Sequence, residues 1–172
     1  MACVDHELHT TLELPVPIDD VFAFFAEAAN LERITPPELR FEILTPLPAA
    51  MRRGTLLDYR LRLFGISFAW RTRIAAWDPP HGFVDVQLGG PYALWEHTHA
   101  FAATAGGTLI DDHVRYRLPL LPLGDVAYPL VRRQLARIFS YRRGAVRDAL
   151  LSDRGDEVST GPAAAQPPAR PT

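Results

Sequence analysis

The stretch TLLDYRLRLFGISFAWRTRIAAW, residues 55–77, decides how this chain folds. Leu57, Tyr59, Leu61 and Leu63 alternate with Asp58, Arg60 and Arg62. Past Gly65-Ile66, Phe68, Trp70, Thr72 and Ile74 alternate with Arg71 and Arg73. A period of two sends successive side chains to opposite faces of a strand, and the glycine between the runs marks a hairpin. With the turn centred on Gly65-Ile66, Leu57 faces Ile74, Tyr59 faces Thr72, Leu61 faces Trp70 and Leu63 faces Phe68. The reverse face collects the charges, with Asp58 opposite Arg73. Alternation leaves no third choice, so one face is an apolar wall and the other is solvated.

The same period extends on both sides. Strands are expected at 39–44, 55–64, 68–77, 83–88, 93–102 and 108–118, separated by Pro- and Gly-rich joints such as Asp78-Pro79-Pro80-His81-Gly82 and Gly89-Gly90-Pro91. Short joints between consecutive strands imply an antiparallel meander. Upstream, His6, Leu8, Thr10, Leu12 and Leu14 alternate with polar residues in one more half-buried strand, which Pro15 and Pro17 stop. Asp19-Asp20 then places acidic charge at the positive end of a helix whose apolar face is Val21, Phe22, Phe24, Phe25 and Ala28. Residues 30–34 add a helical turn before Thr35-Pro36-Pro37. Downstream, Asp125 caps a long helix reaching about Leu151, with Val131, Leu135, Ile138, Phe139, Val146 and Ala149 on its buried stripe. Seven antiparallel strands and one long helix bury both apolar faces only if the sheet curls around the helix, enclosing an elongated cavity.

Composition narrows the function. A chain of 172 residues with 48% hydrophobic and 22% charged residues is one soluble globular domain. Eighteen basic against twenty acidic side chains give a net charge of −2, which argues against a nucleic-acid binder. Every basic residue is arginine, so lysine Schiff-base chemistry is absent. Cys3 is the sole cysteine, and no Cys/His cluster suggests a structural zinc. The first residues do not read as a signal peptide and no run reaches membrane-spanning length, so the expected location is the cytoplasm. Residues 1–151 are read as the ligand-binding domain and residues 152–172 as a disordered Pro/Ala-rich tail.

The residues with chemistry sit on one strand, Trp95-Glu96-His97-Thr98-His99-Ala100-Phe101. Trp95, His97, His99 and Phe101 share a face, expected to point inward. A turn centred on Thr104-Ala105 sets His97 opposite Asp112, His99 opposite Ile110 and Trp95 opposite Val114, with Tyr116 one step further. Three readings stay open for His97 and Asp112. They form a satisfied buried pair, or a ligand anchor or acid–base dyad, or part of a metal site. In the last case only Asp112 is an obvious third ligand to the two imidazoles, and no metal is expected. Asp85 and Gln87 share a face with Phe83, opposed by Val84, Val86 and Leu88, and either set can face inward. Arg132, Arg133, Arg137, Arg142, Arg143 and Arg147 crowd the last helix. They suit a solvated face or an acidic partner or lipid surface. Arg142 alone falls on the core stripe, where its head can reach a cavity mouth and meet an acidic ligand group. No nucleophile or phosphate-binding motif occurs.

Several stretches together resemble the SRPBCC (START/Bet v 1-like) superfamily, in its bacterial polyketide cyclase/dehydrase-like or CoxG-like ligand-binding branch. They are Asn30-Leu31-Glu32-Arg33-Ile34-Thr35-Pro36-Pro37, Gly54-Thr55-Leu56-Leu57-Asp58-Tyr59, Trp77-Asp78-Pro79-Pro80, Gly90-Pro91-Tyr92, the Trp95–Phe101 strand, and Gly107-Thr108 through Asp112, Val114 and Tyr116. The resemblance implies an α+β helix-grip fold and the binding of a small hydrophobic or aromatic ligand, lipid-, sterol- or polyketide-like, without a cofactor. The expected lining is Leu57, Tyr59, Leu61, Trp70 and Thr72 from the hairpin. Trp95, His97, His99, Phe101, Asp112 and Tyr116 follow from the next strands, and Leu135, Ile138, Phe139 and Arg142 from the helix. The rival expectations are a cyclase, aromatase or dehydratase acting through His97 and Asp112, and an accessory protein docking a membrane or partner through its arginine helix. The chain is expected as a monomer or homodimer.

Overall fold

Proline and glycine punctuation sets the element boundaries in the computed structural model, which describes residues 4–47, 51–119 and 123–158. The order is β1 (His6–Leu14), α1 (Ile18–Ala26), α2 (Asn30–Arg33), a 3₁₀ turn (Pro37–Leu39), β2 (Glu42–Ile43), β3 (Leu56–Leu63), β4 (Ile66–Asp78), β5 (Gly82–Gly89), β6 (Leu94–Thr104), β7 (Gly107–Arg117) and α3 (Leu123–Val158). The strands form one seven-stranded sheet in the order β1-β7-β6-β5-β4-β3-β2, antiparallel throughout. The expected helix-grip α+β architecture is therefore what the chain adopts.

Four local expectations need correction. The strand expected at 39–44 shrinks to Glu42–Ile43, because Pro36-Pro37 starts a 3₁₀ turn that Arg40 ends in a left-handed conformation (φ 44°). The β3–β4 turn is centred on Phe64-Gly65 rather than Gly65-Ile66, so Leu57 faces Thr72, Tyr59 faces Trp70 and Asp58 faces Arg71. Both turn residues have positive φ (51° and 80°), the two-residue geometry whose twist matches that of the flanking strands. Likewise the β6–β7 turn is Ala105-Gly106, so His99 faces Asp112, His97 faces Val114 and Trp95 faces Tyr116. Each register moves by two, so every side chain keeps its expected face. At the other end, α3 starts before Asp125 and continues to Val158, beyond the expected stop near Leu151. The remainder of the expected tail lies outside the described residues.

The sheet's inner face and α3 enclose two apolar clusters. One gathers Phe22, Phe24 and Phe25 of α1 with Leu12, Ile74, Phe83, Phe101 and the end of α3 at Val146 and Leu150. The other gathers Leu61, Leu63, Trp70, Trp95, Tyr116, Leu135 and Phe139. His99 stacks on Phe83 of the first cluster, and His97 lies edge-on to Trp95 and Phe139 of the second. The polar spot thus sits where the clusters meet. On the outer face, Arg71 forms two hydrogen bonds with Asp58 across the hairpin, at 2.7 and 3.0 Å. β2 pairs with β3 only at Arg60 and Tyr59, so among the described residues no strand covers residues 61–63 on that side.

Candidate functional site

A cavity of about 150 Å³ lies between the sheet and α3. Most of its wall is aliphatic and aromatic. Of the expected lining, Leu57, Tyr59, Leu61, Trp70 and Thr72 reach it from the hairpin and Trp95, His97 and His99 from β6. Leu135, Ile138, Phe139 and Arg142 reach it from α3. Phe101, Tyr116 and Asp112 do not. Phe101 is packed behind the wall against Phe22, Phe25 and Phe83, and Tyr116 against His6, Tyr92 and Trp95. Asp112 stands behind the two histidines.

Several wall residues come from places the sequence reading passed over: Phe24, Phe25 and Leu31 near the first helices, Phe41, and Tyr92 after the Gly89-Gly90 joint. A signal existed for the first pair. Val21, Phe22, Phe24 and Phe25 give α1 an apolar face broader than a short helix needs to dock on a sheet. Tyr92 is held in place by Gln87, whose side-chain amide donates to the Tyr92 carbonyl at 2.7 Å. Thr72 organises the other aromatic corner: its hydroxyl oxygen accepts from the Trp70 indole at 3.0 Å and lies 3.2 Å from the Tyr59 hydroxyl.

The polar part of the wall is a four-residue cluster. β5 turns Asp85 inward, which settles the face that the sequence left open. The cause is a bulge in β4 between Ile74 and Ala76, which shifts the alternation so that Ile74 pairs with Asp85 and Trp77 with Phe83. His97 and His99 are 4% and 3% exposed and Asp112 is 5% exposed, so the cluster is shielded from bulk water. The imidazole rings lie close, with centroids 3.7 Å apart and planes tilted by 38°. His97 Nε2 is 2.9 Å from Asp112 Oδ1, and His99 Nε2 is 3.1 Å from Asp85 Oδ2. His99 Nδ1 also lies 2.9 Å from Asp112 Oδ1, although out of line for a well-formed hydrogen bond. His97 Nδ1 is 3.6 Å from Asp85 Oδ2. The expected His97–Asp112 contact exists, but it runs diagonally between strands and includes a second imidazole and a second carboxylate.

Electrostatics divide the two histidines. Burial, helped by the charge of His99, pushes His97 down to about 4. Burial also opposes charge on His99, but the close carboxylates of Asp112 and Asp85 outweigh it and raise its pKa. Both carboxylates stay below the usual range: burial would lift them, and the imidazoles more than compensate. Burial and the neighbouring Asp85 charge drive the Tyr59 hydroxyl upward. At neutral pH the cluster therefore holds two carboxylates and a neutral His97, while the charged form of His99 is favoured relative to a free imidazole. A carboxylate only accepts, so His97 donates through Nε2 and its Nδ1 lone pair points towards the Asp85 side of the cavity. Asp85, His97 and His99 each offer one ligand atom, and these lie within 4.8 Å of one another.

Arg142 reaches the cavity as its stripe position suggested. Its guanidinium sits 5.6 Å from the Phe25 ring centroid, and its Nε is buried without a hydrogen-bond partner. The other helix arginines described above are exposed, and Arg137 binds Glu38 at 2.6 Å. No helix among the described residues is long and apolar enough to cross a membrane.

No family model and no curated protein matches the chain by sequence. Solved structures do match its fold. Norcoclaurine synthase from Thalictrum flavum, solved with dopamine and hydroxybenzaldehyde, aligns at 17% identity and a TM-score of 0.64 over 87% of this chain and 88% of that one. The di-domain aromatase/cyclase StfQ of the steffimycin biosynthetic pathway aligns at 16% identity and a TM-score of 0.67. That match covers 88% of this chain and 52% of StfQ. Protein Ms6760 from Mycobacterium smegmatis aligns at 20% identity and a TM-score of 0.62, over 86% and 92% of the two chains. At these identities the likeness shows a shared fold, the curled antiparallel sheet around a long C-terminal helix.

Proposed function

We propose that the chain binds a small aromatic or otherwise hydrophobic molecule in the cavity between the sheet and α3. The observation that carries this reading is the wall itself: Trp70, Trp95, Tyr59 and Phe139 surround a preformed space that is mainly apolar, its polar groups being the buried cluster, Arg142, the Thr72–Tyr59 corner and Glu27, Asn30 and Thr35. Small-molecule sites have that composition, apolar with a few placed polar groups that fix orientation. A cavity of about 150 Å³ suits one benzene-sized ring. A longer polyketide-, lipid- or sterol-like ligand would extend through the mouth or displace wall side chains. The Thalictrum enzyme's single-ring ligands are consistent with that scale.

Binding is a better account than catalysis by His97 and Asp112. A general base works best with a pKa near the operating pH. His97, held at about 4, is a weak proton acceptor at neutral pH, and His99 is engaged by the carboxylates of Asp85 and Asp112. The same groups are well suited to hold a ligand hydroxyl or carbonyl, with Arg142 available to a carboxylate or phenolate.

Isothermal titration with naphthol tests the proposal. Burying one ring, with the second reaching into the cavity mouth, predicts saturable one-to-one binding with a Kd of about 0.1–1 mM. Leu57→Phe, which fills part of the cavity, weakens it at least tenfold, while Arg62→Ala on the outer face leaves it unchanged. Unsaturable heats, or indifference to Leu57→Phe in a folded variant, overturn the reading.

A further inference from the structure

We propose that Asp85, His97 and His99 form a binding site for one divalent first-row transition-metal ion on the inner wall of the cavity, with Asp112 positioning both imidazoles from behind. The proposal is independent of which organic ligand the cavity takes.

The distances are those of a nearly assembled site. Zinc-type metal–ligand bonds of about 2.0–2.2 Å in tetrahedral array put ligand atoms roughly 3.3–3.6 Å apart. Asp85 Oδ2 is 3.1 Å from His99 Nε2 and 3.6 Å from His97 Nδ1. Two imidazoles and one carboxylate form a donor set suited to zinc or ferrous iron rather than calcium or magnesium. The rear atoms match as well. Metal-bound histidines usually direct their other nitrogen to a carboxylate, which fixes the ring and raises its basicity. Here Asp112 Oδ1 accepts from His97 Nε2 at 2.9 Å and lies 2.9 Å from His99 Nδ1, out of line until that ring turns slightly. The arrangement is also one-sided: the three ligand residues line the cavity and Asp112 does not. The remaining coordination positions therefore face the organic ligand's space.

Charge balance points the same way. Two buried carboxylates carry two negative charges into a shielded interior, which is costly unless compensated. A divalent ion with two neutral imidazoles cancels them completely. In the metal-free chain the Asp85–His99 edge is bridged by a hydrogen bond. The ion displaces the one proton on His99 Nε2, which leaves to solvent, and the His99–Asp85 hydrogen bond gives way to metal–ligand bonds at His99 Nε2, Asp85 Oδ2 and His97 Nδ1. The sequence offered only Asp112 as a third ligand. The structure moves Asp112 behind the rings and brings Asp85 forward.

The test uses the full chain, stripped with a chelator and titrated at neutral pH with zinc chloride and, in parallel, cobalt chloride. One ion per chain is expected. Asp85→Asn weakens binding at least tenfold, and Asp112→Asn by about 10–100-fold through loss of positioning. A His9→Ala/His113→Ala double variant removes the exposed histidine pair on the outer face and binds as the unmodified chain does. Should Asp85→Asn fail to fold, an anomalous-scattering map of the zinc-soaked unmodified protein decides. The ion is expected within about 2.0–2.2 Å of His97 Nδ1, His99 Nε2 and Asp85 Oδ2. Unsaturable binding, binding lost in the His9/His113 variant, or an anomalous peak elsewhere overturns the site.

Discussion

His97 and His99 are two residues apart on one strand, yet their acid–base behaviour is opposite, and stability should record this. The pKa of His97 falls from the ordinary 6.5 when unfolded to about 4 when folded. Between those values the unfolded chain takes up the proton and the folded chain does not, so stability falls as pH drops through that window. The full cost is about 3 kcal/mol. His99 is raised, so its stabilisation is complete below about 6.5 and is lost as pH rises through its folded value. Asp85 and Asp112 are lowered, so theirs holds above the ordinary carboxylate range and disappears on further acidification. Urea melts of the chelator-treated protein from pH 4 to 9 are expected to peak near pH 6.5, with a decline on both sides. His97→Gln keeps a donor towards Asp112 but cannot titrate, so it flattens the slope between pH 5 and 6.5. A flat profile in the unmodified protein contradicts this division of charge.

At the level of elements, the strand that carries the histidines depends on a close approach from its neighbour. Gly82 opens β5 with φ 151°, and a Cβ there would lie 2.1 Å from the His99 carbonyl oxygen. Gly82→Ala therefore strains the backbone and pushes β6 away at His99. It is expected to destabilise the fold by more than 1 kcal/mol and to weaken naphthol binding, read by urea melts and titration. The same strands show what could be read in the sequence. Alternation assigned the faces of β1, β3, β4, β6 and β7, because a face depends only on parity. Pairing depends on the turn, and in both Phe64-Gly65 and Ala105-Gly106 the observed centre precedes or follows the expected one by one residue. That displacement put Asp112 opposite His99 instead of His97. The face of Asp85 stayed open in the sequence, since it rests on the Ala75 bulge and on the register with β6, and neither leaves a fixed mark in sequence.

The whole molecule spends much of its apolar content on a wall rather than a filled centre, and the sheet that supplies this wall stays open at both edges. Its β3 edge is the more exposed. Two-residue β2 covers little of it, and among the described residues no strand pairs with residues 61–63 on that side. An uncovered edge of that kind can template a strand from another molecule. Arg60 and Arg62, both exposed there, place like charges where a second copy would have to align. Arg60→Thr/Arg62→Thr is accordingly expected to keep the fold while increasing concentration-dependent light scattering. Unchanged scattering would dissociate the arginines from that role. The outward charges of the hairpin that decides the fold would then also govern solubility: one alternation builds the pocket on its inner side and keeps neighbouring molecules from polymerising on its outer side.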